Sequence, residues 1–194
     1  MVRVAPFSER FHLDVADGHY VPTMLFFPDL VKQLRAKTMV PFEVHLMTTD
    51  PLAWVEPFAD AGANGIIFCL DSAKDPGGLI DAIKRKGMFA GVSLLLTEDL
   101  DLIEPFFAKL DVLTIVCTAM GIKGASMDEG VPDKVRRARQ VIDSRGLKTE
   151  IEMDGGIRRN TVPRMAAAGA DWIVPGSLMF GEEPAEMRRW LATL

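Results

Sequence analysis

Short runs of β-branched and apolar residues alternate along the chain with longer amphipathic stretches. Strands are predicted at Arg10–Asp14, Phe42–Met47, Gly65–Cys69, Phe89–Leu94, Val112–Val116, Thr149–Asp154 and Trp172–Val174. Helices are predicted between them from their end signals. Asp50-Pro51 reads as an N-cap and first-turn proline, with Gly62 closing that helix. Asp75-Pro76 and Gly87 bracket the next. Thr97 is placed as the cap of a helix over Glu98–Lys109, and Pro132 opens one that runs to Arg145 before Gly146. Asn160 caps a helix ending at Gly169, and Pro184 opens the last. Strand–helix repetition of this kind means parallel strands joined by crossover helices. Two echoes, Ala61-Gly62-Ala63-Asn64 and Ala168-Gly169-Ala170-Asp171, each lead from helix into strand.

Seven strands in 194 residues fall just short of a (β/α)8 TIM barrel, which takes about 200 residues at the small end. If the fold is such a barrel, its first strand and most of its first helix are lacking in this chain. An open, doubly wound sheet is the competing architecture. No linker or composition break divides residues 1–194, so one domain is expected.

The polar residues choose between the two folds. His12 and Asp14 share a face of the first strand, and Glu43 and His45 share one on the next. Asp154 ends the sixth strand. In a barrel the C-terminal strand ends converge on one mouth, so His12, Asp14, His45 and Asp154 make one site; in an open sheet Asp154 lies far from the rest. Two imidazoles and two carboxylates suit one divalent cation of the Zn, Mn, Fe or Co type, and ligand softness does not separate these. His19 falls in a loop and carries no clear role.

Composition narrows the partners. Lys and Arg number 22 against 27 Asp and Glu, a net charge of −5. That balance argues against nucleic acid and anionic membranes. Cys69 and Cys117 lie in apolar runs and read as buried thiols of a cytoplasmic protein. No apolar stretch reaches the length of a membrane span, and the N-terminus lacks the apolar core of a secretory signal. The apolar loop Met24-Leu25-Phe26-Phe27 suggests a contact surface, consistent with a homo-oligomer.

Several segments resemble the ribulose-phosphate 3-epimerase family. His12-Leu13-Asp14-Val15-Ala16-Asp17-Gly18-His19-Tyr20-Val21-Pro22 is similar to its H-x-D-V-M-D-G-x-F-V-P-N, and Pro41-Phe42-Glu43-Val44-His45-Leu46-Met47 to its P-F-D-V-H-L-M. Ile151-Glu152-Met153-Asp154-Gly155-Gly156-Ile157 resembles I-E-V-D-G-G-V, and Ala168–Asp171 with Val174–Ser177 resembles A-G-A-D and V-A-G-S. The resemblance implies a (β/α)8 barrel that inverts carbon 3 of a ketose phosphate with one divalent metal. It implies His12, Asp14, His45 and Asp154 as metal ligands and Asp14 with Asp154 as the acid/base pair. It further implies a methionine, Met47, at the reaction centre and phosphate contacts at Gly121, Ile122, Lys123, Gly124, Gly155, Gly156, Gly176 and Ser177. D-ribulose 5-phosphate is the simplest implied substrate. Another ketose phosphate, such as allulose 6-phosphate, and a phosphosugar-binding barrel with impaired catalysis are the alternatives. The chain departs from the family pattern at Ala16 and Val116, where methionines are usual, at Cys69, where histidine is frequent, and over Val116–Gly124. The family's opening strand, which carries a serine facing substrate, has no counterpart. These departures touch the pocket wall more than the proposed chemistry.

Overall fold

The computed structural model describes residues 1–120 and 124–194. Seven parallel strands pair in chain order: β1 Phe11–Ala16, β2 Phe42–Met47, β3 Gly65–Cys69, β4 Phe89–Leu94, β5 Val112–Val116, β6 Glu150–Asp154 and β7 Trp172–Val174. The sheet curls into a partial barrel with helices between the strands. Those between strands are α1 Pro28–Arg35, α2 Val55–Asp60, α3 Pro76–Arg85, α4 Val131–Ser144 and α5 Val162–Ala168, while α6 Ser177–Gly181 and α7 Pro184–Leu191 follow β7.

The two faces of the sheet differ in chemistry, and the alternation of each strand sets the difference. Leu13 and Val15 of β1, Phe42, Val44 and Leu46 of β2, and Ala90, Val92 and Leu94 of β4 point outward into the main apolar core beneath the helices. The inward positions carry His12, Asp14, Glu43, His45, Ser93, Thr114, Glu152 and Asp154 instead. Burial of the outward set at roughly 25 cal/mol per Å² is what holds the layers together; the inward set must find partners for its polar atoms. Amphipathic α4 shows the matching pattern, with Val131, Val135, Ala138 and Ile142 buried at helical spacing.

Close approach across the barrel floor fixes one glycine. A side chain at Gly65 would stand 2.1 Å from the Phe89 ring. The ring can therefore lie over β3 and stack on the Arg10 guanidinium, 4.6 Å from its centroid.

Five of the seven strands have the bounds the sequence predicts. β1 runs on to Ala16 because its pairing with β2 continues in register to Ala16 opposite Met47. β6 begins one residue later than expected, at Glu150. The helix predicted over Glu98–Lys109 is replaced by short 3-10 turns at Leu100–Ile103 and Phe107–Lys109. Pro105 falls in the middle of that stretch and can neither donate to nor fit within an α-helical ladder. Its cap is Asp99, whose side chain accepts from Asp101 N–H, and not Thr97. Asp50 precedes a 3-10 turn at Pro51–Trp54 and α2, but its side chain makes no capping bond. Likewise Asn160 yields to Thr161, whose hydroxyl accepts from Arg158 N–H at 2.8 Å and donates to Gly156 O at 2.9 Å.

The strands β1 and β7 form the two ends of the sheet. Between them lies a cleft of about 600 Å³, lined by Phe7, Arg10, Phe11, Trp172, Val174 and Met179 among others. The segment before β1 folds as a 3-10 turn, Ala5–Phe7, and its Val4 packs on Met179 and Met187. The upper part of the β1 edge is covered by its own following loop: Phe26 N–H donates to Asp14 O and Leu25 N–H to Ala16 O, both at 3.2 Å. Met24, Leu25 and Phe27 of that loop are exposed, as the apolar loop suggested, while Phe26 packs on the core. No helix of the described residues is long and apolar enough to cross a membrane.

Candidate metal centre and active site

At the C-terminal ends of β1, β2 and β6, the side chains of His12, Asp14, His45 and Asp154 converge. Ligand atoms from all four lie within 4.8 Å of one another. His12 Nε2 stands 3.5 Å from Asp14 Oδ1, and His45 Nδ1 stands 3.4 Å from that same oxygen and 3.9 Å from Asp154 Oδ2. The imidazole centroids are 5.2 Å apart, edge to face. The sheet register explains the meeting, since Asp14 lies directly opposite His45. Curling of the sheet brings β6 across to them. The four residues grouped from sequence are therefore one cluster in space.

A second cluster sits one layer deeper. His12 Nδ1 is 2.7 Å from Glu43 Oε1 and 3.4 Å from Glu152 Oε1. Arg10 Nη1 meets Glu43 Oε2 at 2.6 Å, and its Nη2 meets Glu150 at 3.1 Å. The guanidinium is sandwiched between Phe89 and Trp172, 4.6 Å from each ring centroid. Thr114 Oγ1 donates to Glu152 Oε1 at 2.9 Å. His12, Glu43 and Glu152 also satisfy the spacing of a metal-ligand group, but Arg10 already supplies the cation there.

The two layers differ in what they leave unpaired. His12 Nε2 and His45 Nδ1 are buried and have no hydrogen-bond partner among the described residues. Their other ring nitrogens are occupied, His12 Nδ1 by Glu43 and His45 Nε2 by Ser93 Oγ at 2.9 Å. A buried polar atom without a partner costs about 1–3 kcal/mol. Two of them, aimed at two carboxylates, fit one divalent cation as their missing partner.

Electrostatics follow the same division. Burial opposes ionisation of Asp14, but the facing imidazoles of His12 and His45 outweigh it and hold that carboxyl well below the usual range. Asp154 moves the other way: burial and the neighbouring Asp14 charge raise it, against partial relief from the two imidazoles. His45 is shifted up to about 10, where Asp14 and Cys69 overcome the effect of burial. Below, burial pushes Glu152 up to about 7, while Glu43 is drawn down to about 2 against its own burial by His12, Glu152 and Arg10.

The remaining residues named from sequence fall around this core. Met47 packs with Ala16, Val21, Cys69, Tyr20 and Met120 in a small cluster beside the site. Cys69 Sγ is 3.7 Å from His45 Nε2. Gly155 and Gly156 follow Asp154 with φ of +89° and +63°; a Cβ on Gly156 would stand 2.7 Å from Met127 N, so only glycine fits this turn. Gly176 (φ +43°) precedes Ser177, the first residue of α6. Gly124 has φ +78°, and among the described residues nothing lies within 4 Å of where a Cβ would stand. Gly121, Ile122 and Lys123 lie outside the described residues. His19 is exposed, and among the described residues its backbone N–H donates to Asp17 Oδ1. Cys117 is buried and free, as is Cys69. Sequence reasoning placed Glu43 on the same face as His45 but gave it no role, and it gave none to Arg10 and Glu152. The available signal was spacing: Glu43 and Glu152 each precede a cluster residue by two, so alternation points them inward.

Residues 5–180 match the model of the Ribulose-phosphate 3 epimerase family. A ribulose-phosphate 3-epimerase of Treponema pallidum (strain Nichols) is 36% identical over 173 residues, covering 89% of this chain and 79% of that protein. One from Mycobacterium tuberculosis (strain ATCC 25618 / H37Rv) is 34% identical over 179 residues, covering 92% and 78%. Among solved structures, KGPDC from Streptococcus mutans superposes with a TM-score of 0.71 at 12% identity, over 99% of this chain and 87% of that one. A mutant tryptophan synthase α-subunit from Pyrococcus furiosus gives 0.60 at 14% identity, over 86% and 72%. At these identities the two structures speak for the fold.

Proposed function

The chain belongs to the ribulose-phosphate 3-epimerase family, and from that premise we propose that it inverts carbon 3 of a ketose phosphate, D-ribulose 5-phosphate to D-xylulose 5-phosphate. The observation that carries this reading is the pair of orphaned imidazole nitrogens set between two aspartates drawn from β1 and β6. His12 Nε2, His45 Nδ1, Asp14 and Asp154 would hold one divalent cation of the Zn, Mn, Fe or Co type. When bound, that cation supplies Lewis acidity for the negative charge that develops on the substrate oxygens.

The protein's own groups supply the proton traffic. A hydrogen next to a ketone is weakly acidic, so its removal needs a base held in place and a site that tolerates the resulting enediolate. Epimerisation also needs the proton returned from the opposite face. Asp14 stands on β1, at one end of the curled sheet, and Asp154 on β6, next to the strand at the other end, so a sugar lying between them meets one carboxylate on each face. One accepts the carbon 3 proton while the other donates, and the roles exchange in the reverse direction. The unlike environments of the two carboxyls support that division of labour.

Phosphate is assigned to the backbone donors of the glycine turns, Gly155-Gly156, Gly176-Ser177 and Gly124, which need no net positive charge. Met47 contributes to the wall beside the reacting carbon. The two free, buried cysteines accord with a cytoplasmic setting.

Incubation with D-ribulose 5-phosphate in deuterium oxide, with added divalent metal, tests the reading. Deuterium at carbon 3 and accumulation of xylulose 5-phosphate are expected. Tight binding with no exchange would instead mark an impaired phosphosugar-binding barrel. A second substrate reading rests on the wall: Ala16, Cys69 and Val116 stand where the family carries larger or basic side chains. A much higher kcat/KM for a hexulose phosphate than for ribulose 5-phosphate would select it.

A further inference from the structure

The two imidazoles of the cluster are backed by different chemistry. His45 Nε2 meets a neutral hydroxyl, Ser93 Oγ, at 2.9 Å, with the Cys69 thiol at 3.7 Å. His12 Nδ1 meets a carboxylate, Glu43 Oε1, at 2.7 Å. Glu43 has no exposed surface, and its second oxygen is held at 2.6 Å by Arg10, which is clamped between two aromatic rings. A relay therefore runs from a fixed guanidinium through a fixed carboxylate to a histidine whose far nitrogen is the orphaned atom at the mouth.

On the reading that this cluster holds a divalent cation, we infer that Glu43 is the positioning residue of the centre: it fixes His12 as the Nδ1–H tautomer, so that Nε2 presents its lone pair to the cation. The geometry favours Glu43 over Glu152 for this part, since Glu152 stands 3.4 Å from the same nitrogen and takes the Thr114 hydroxyl. A carboxylate acceptor makes the imidazole a stronger donor to a metal than a hydroxyl does. The two histidines are then unequal ligands. They bind through different ring nitrogens, His12 through Nε2 and His45 through Nδ1, and the charge-backed one contributes more to affinity. Arg10 acts a step further back, holding Glu43 in the rotamer that meets His12.

Zinc affinity, read by competition with a chromophoric chelator, tests this on the full chain. Glu43→Gln keeps an acceptor of the same length but removes the charge, and the zinc Kd is expected to rise about 10- to 100-fold. Glu43→Asp keeps the charge and should recover part of that loss. Ser93→Ala, on the other imidazole, should cost less than Glu43→Gln. An unchanged zinc Kd in folded Glu43→Gln overturns the proposal and leaves the metal reading standing. Failure of the unsubstituted protein to bind zinc, manganese, ferrous iron or cobalt overturns the metal reading, and the proposal with it. A measurement that needs no substitution guards against variants that fail to fold. Long-range ¹H–¹⁵N spectra of the zinc-loaded protein should show His12 protonated at Nδ1 and His45 protonated at Nε2. His12 protonated at Nε2 would overturn the assignment whatever the variants do.

Discussion

The mouth and the floor of the barrel are both built from inward-facing polar and charged side chains and end in opposite states. Arg10, Glu43, Glu152 and Thr114 on the floor pair with one another or with His12 Nδ1. At the mouth, His12 Nε2 and His45 Nδ1 have no hydrogen-bond partner among the described residues, although both are buried. His12 belongs to both layers, one nitrogen in each. A buried polar network that closes on itself is structural in its energetics, whereas one that leaves matched donor atoms facing a common point requires something from solution. Substitutions in the two layers should accordingly fail in different ways: the mouth should lose rate and keep its fold, and the floor should lose stability first.

The largest effect is expected at the mouth. Asp154→Asn removes one of the two proposed proton carriers while preserving shape, and kcat should fall by about 10³-fold or more, the upper part of what a positioned acid or base contributes. The thermal melt of the metal-free protein should stay near that of the unsubstituted chain, because Asp154 is raised by burial and is a poor ion there. A steady-state coupled assay beside a circular-dichroism melt reads both quantities. A retained rate with a lowered melting temperature would invert the division between the layers.

On the floor the order reverses. Arg10→Met leaves Glu43 buried without its cation, a loss of about 3–5 kcal/mol for breaking one side of a buried pair. For a chain of this size, that is a fall of roughly 6–20 °C in Tm at 2–4 °C per kcal/mol. Arg10→Met combined with Glu43→Met removes both charges and should recover much of the loss, since a buried pair replaced by apolar side chains of similar volume is close to neutral. A double variant no more stable than the single one would mean that Arg10 serves chiefly by stacking between Phe89 and Trp172.

Metal should stabilise the mouth alone. At a free concentration 100-fold above Kd, a cation that binds only the folded chain adds about 2.7 kcal/mol. His45→Ala should abolish that gain. Its pH dependence has a definite sign. The folded value of His45, about 10, is raised above the ordinary imidazole range. In the metal-free protein its contribution to stability is complete below about 6.5, the unpaired value, and is lost as pH rises through the folded value. A cation competes with that proton. The metal-induced rise in Tm should therefore shrink as pH is lowered from 8 to 6, and binding should release protons, measurable by calorimetry in buffers of different ionisation enthalpy.

Much of this division could be read before any coordinates. Period-2 alternation in Phe42–Met47 and His12–Asp14 placed the imidazoles inward, and the chain order of strands and helices placed Asp154 on the same rim. Two things escaped. Pro105 turned a predicted helix into 3-10 turns, a local veto that a cap-and-periodicity reading of Glu98–Lys109 undervalued. The floor was missed for another reason. Whether Glu43, Glu152 and Arg10 meet depends on how tightly the sheet curls, and alternation fixes only the face each side chain occupies. The choice of ring nitrogen on each histidine is likewise set by partners from other strands, Glu43 for one and Ser93 for the other.

The rim itself offers the finest test of whether pairing, and not location, separates the layers. Asp17 lies three residues beyond Asp14, on the mouth side, yet its carboxylate is fully engaged. It accepts from His19 N–H, Tyr20 N–H and Thr49 N–H, each at 2.8 Å, and from the Thr49 hydroxyl at 3.0 Å. By the pairing criterion it is structural, tying the loop after β1 to the loop after β2. Asp17→Ala should cost about 1 kcal/mol, the usual loss of a side-chain oxygen that holds backbone donors, while kcat changes little beside the loss at Asp154. Slight burial works against ionisation, but the backbone hydrogen bonds outweigh it and depress the Asp17 carboxyl. Its contribution is therefore present above the ordinary aspartate value and lost as pH falls through the lower folded one. The stability difference between the unsubstituted chain and Asp17→Ala, followed by urea titration from pH 6 down to pH 2, should narrow only below about pH 4. A kcat loss as large as that of Asp154→Asn would place Asp17 with the working groups of the mouth and break the rule that separates the two layers.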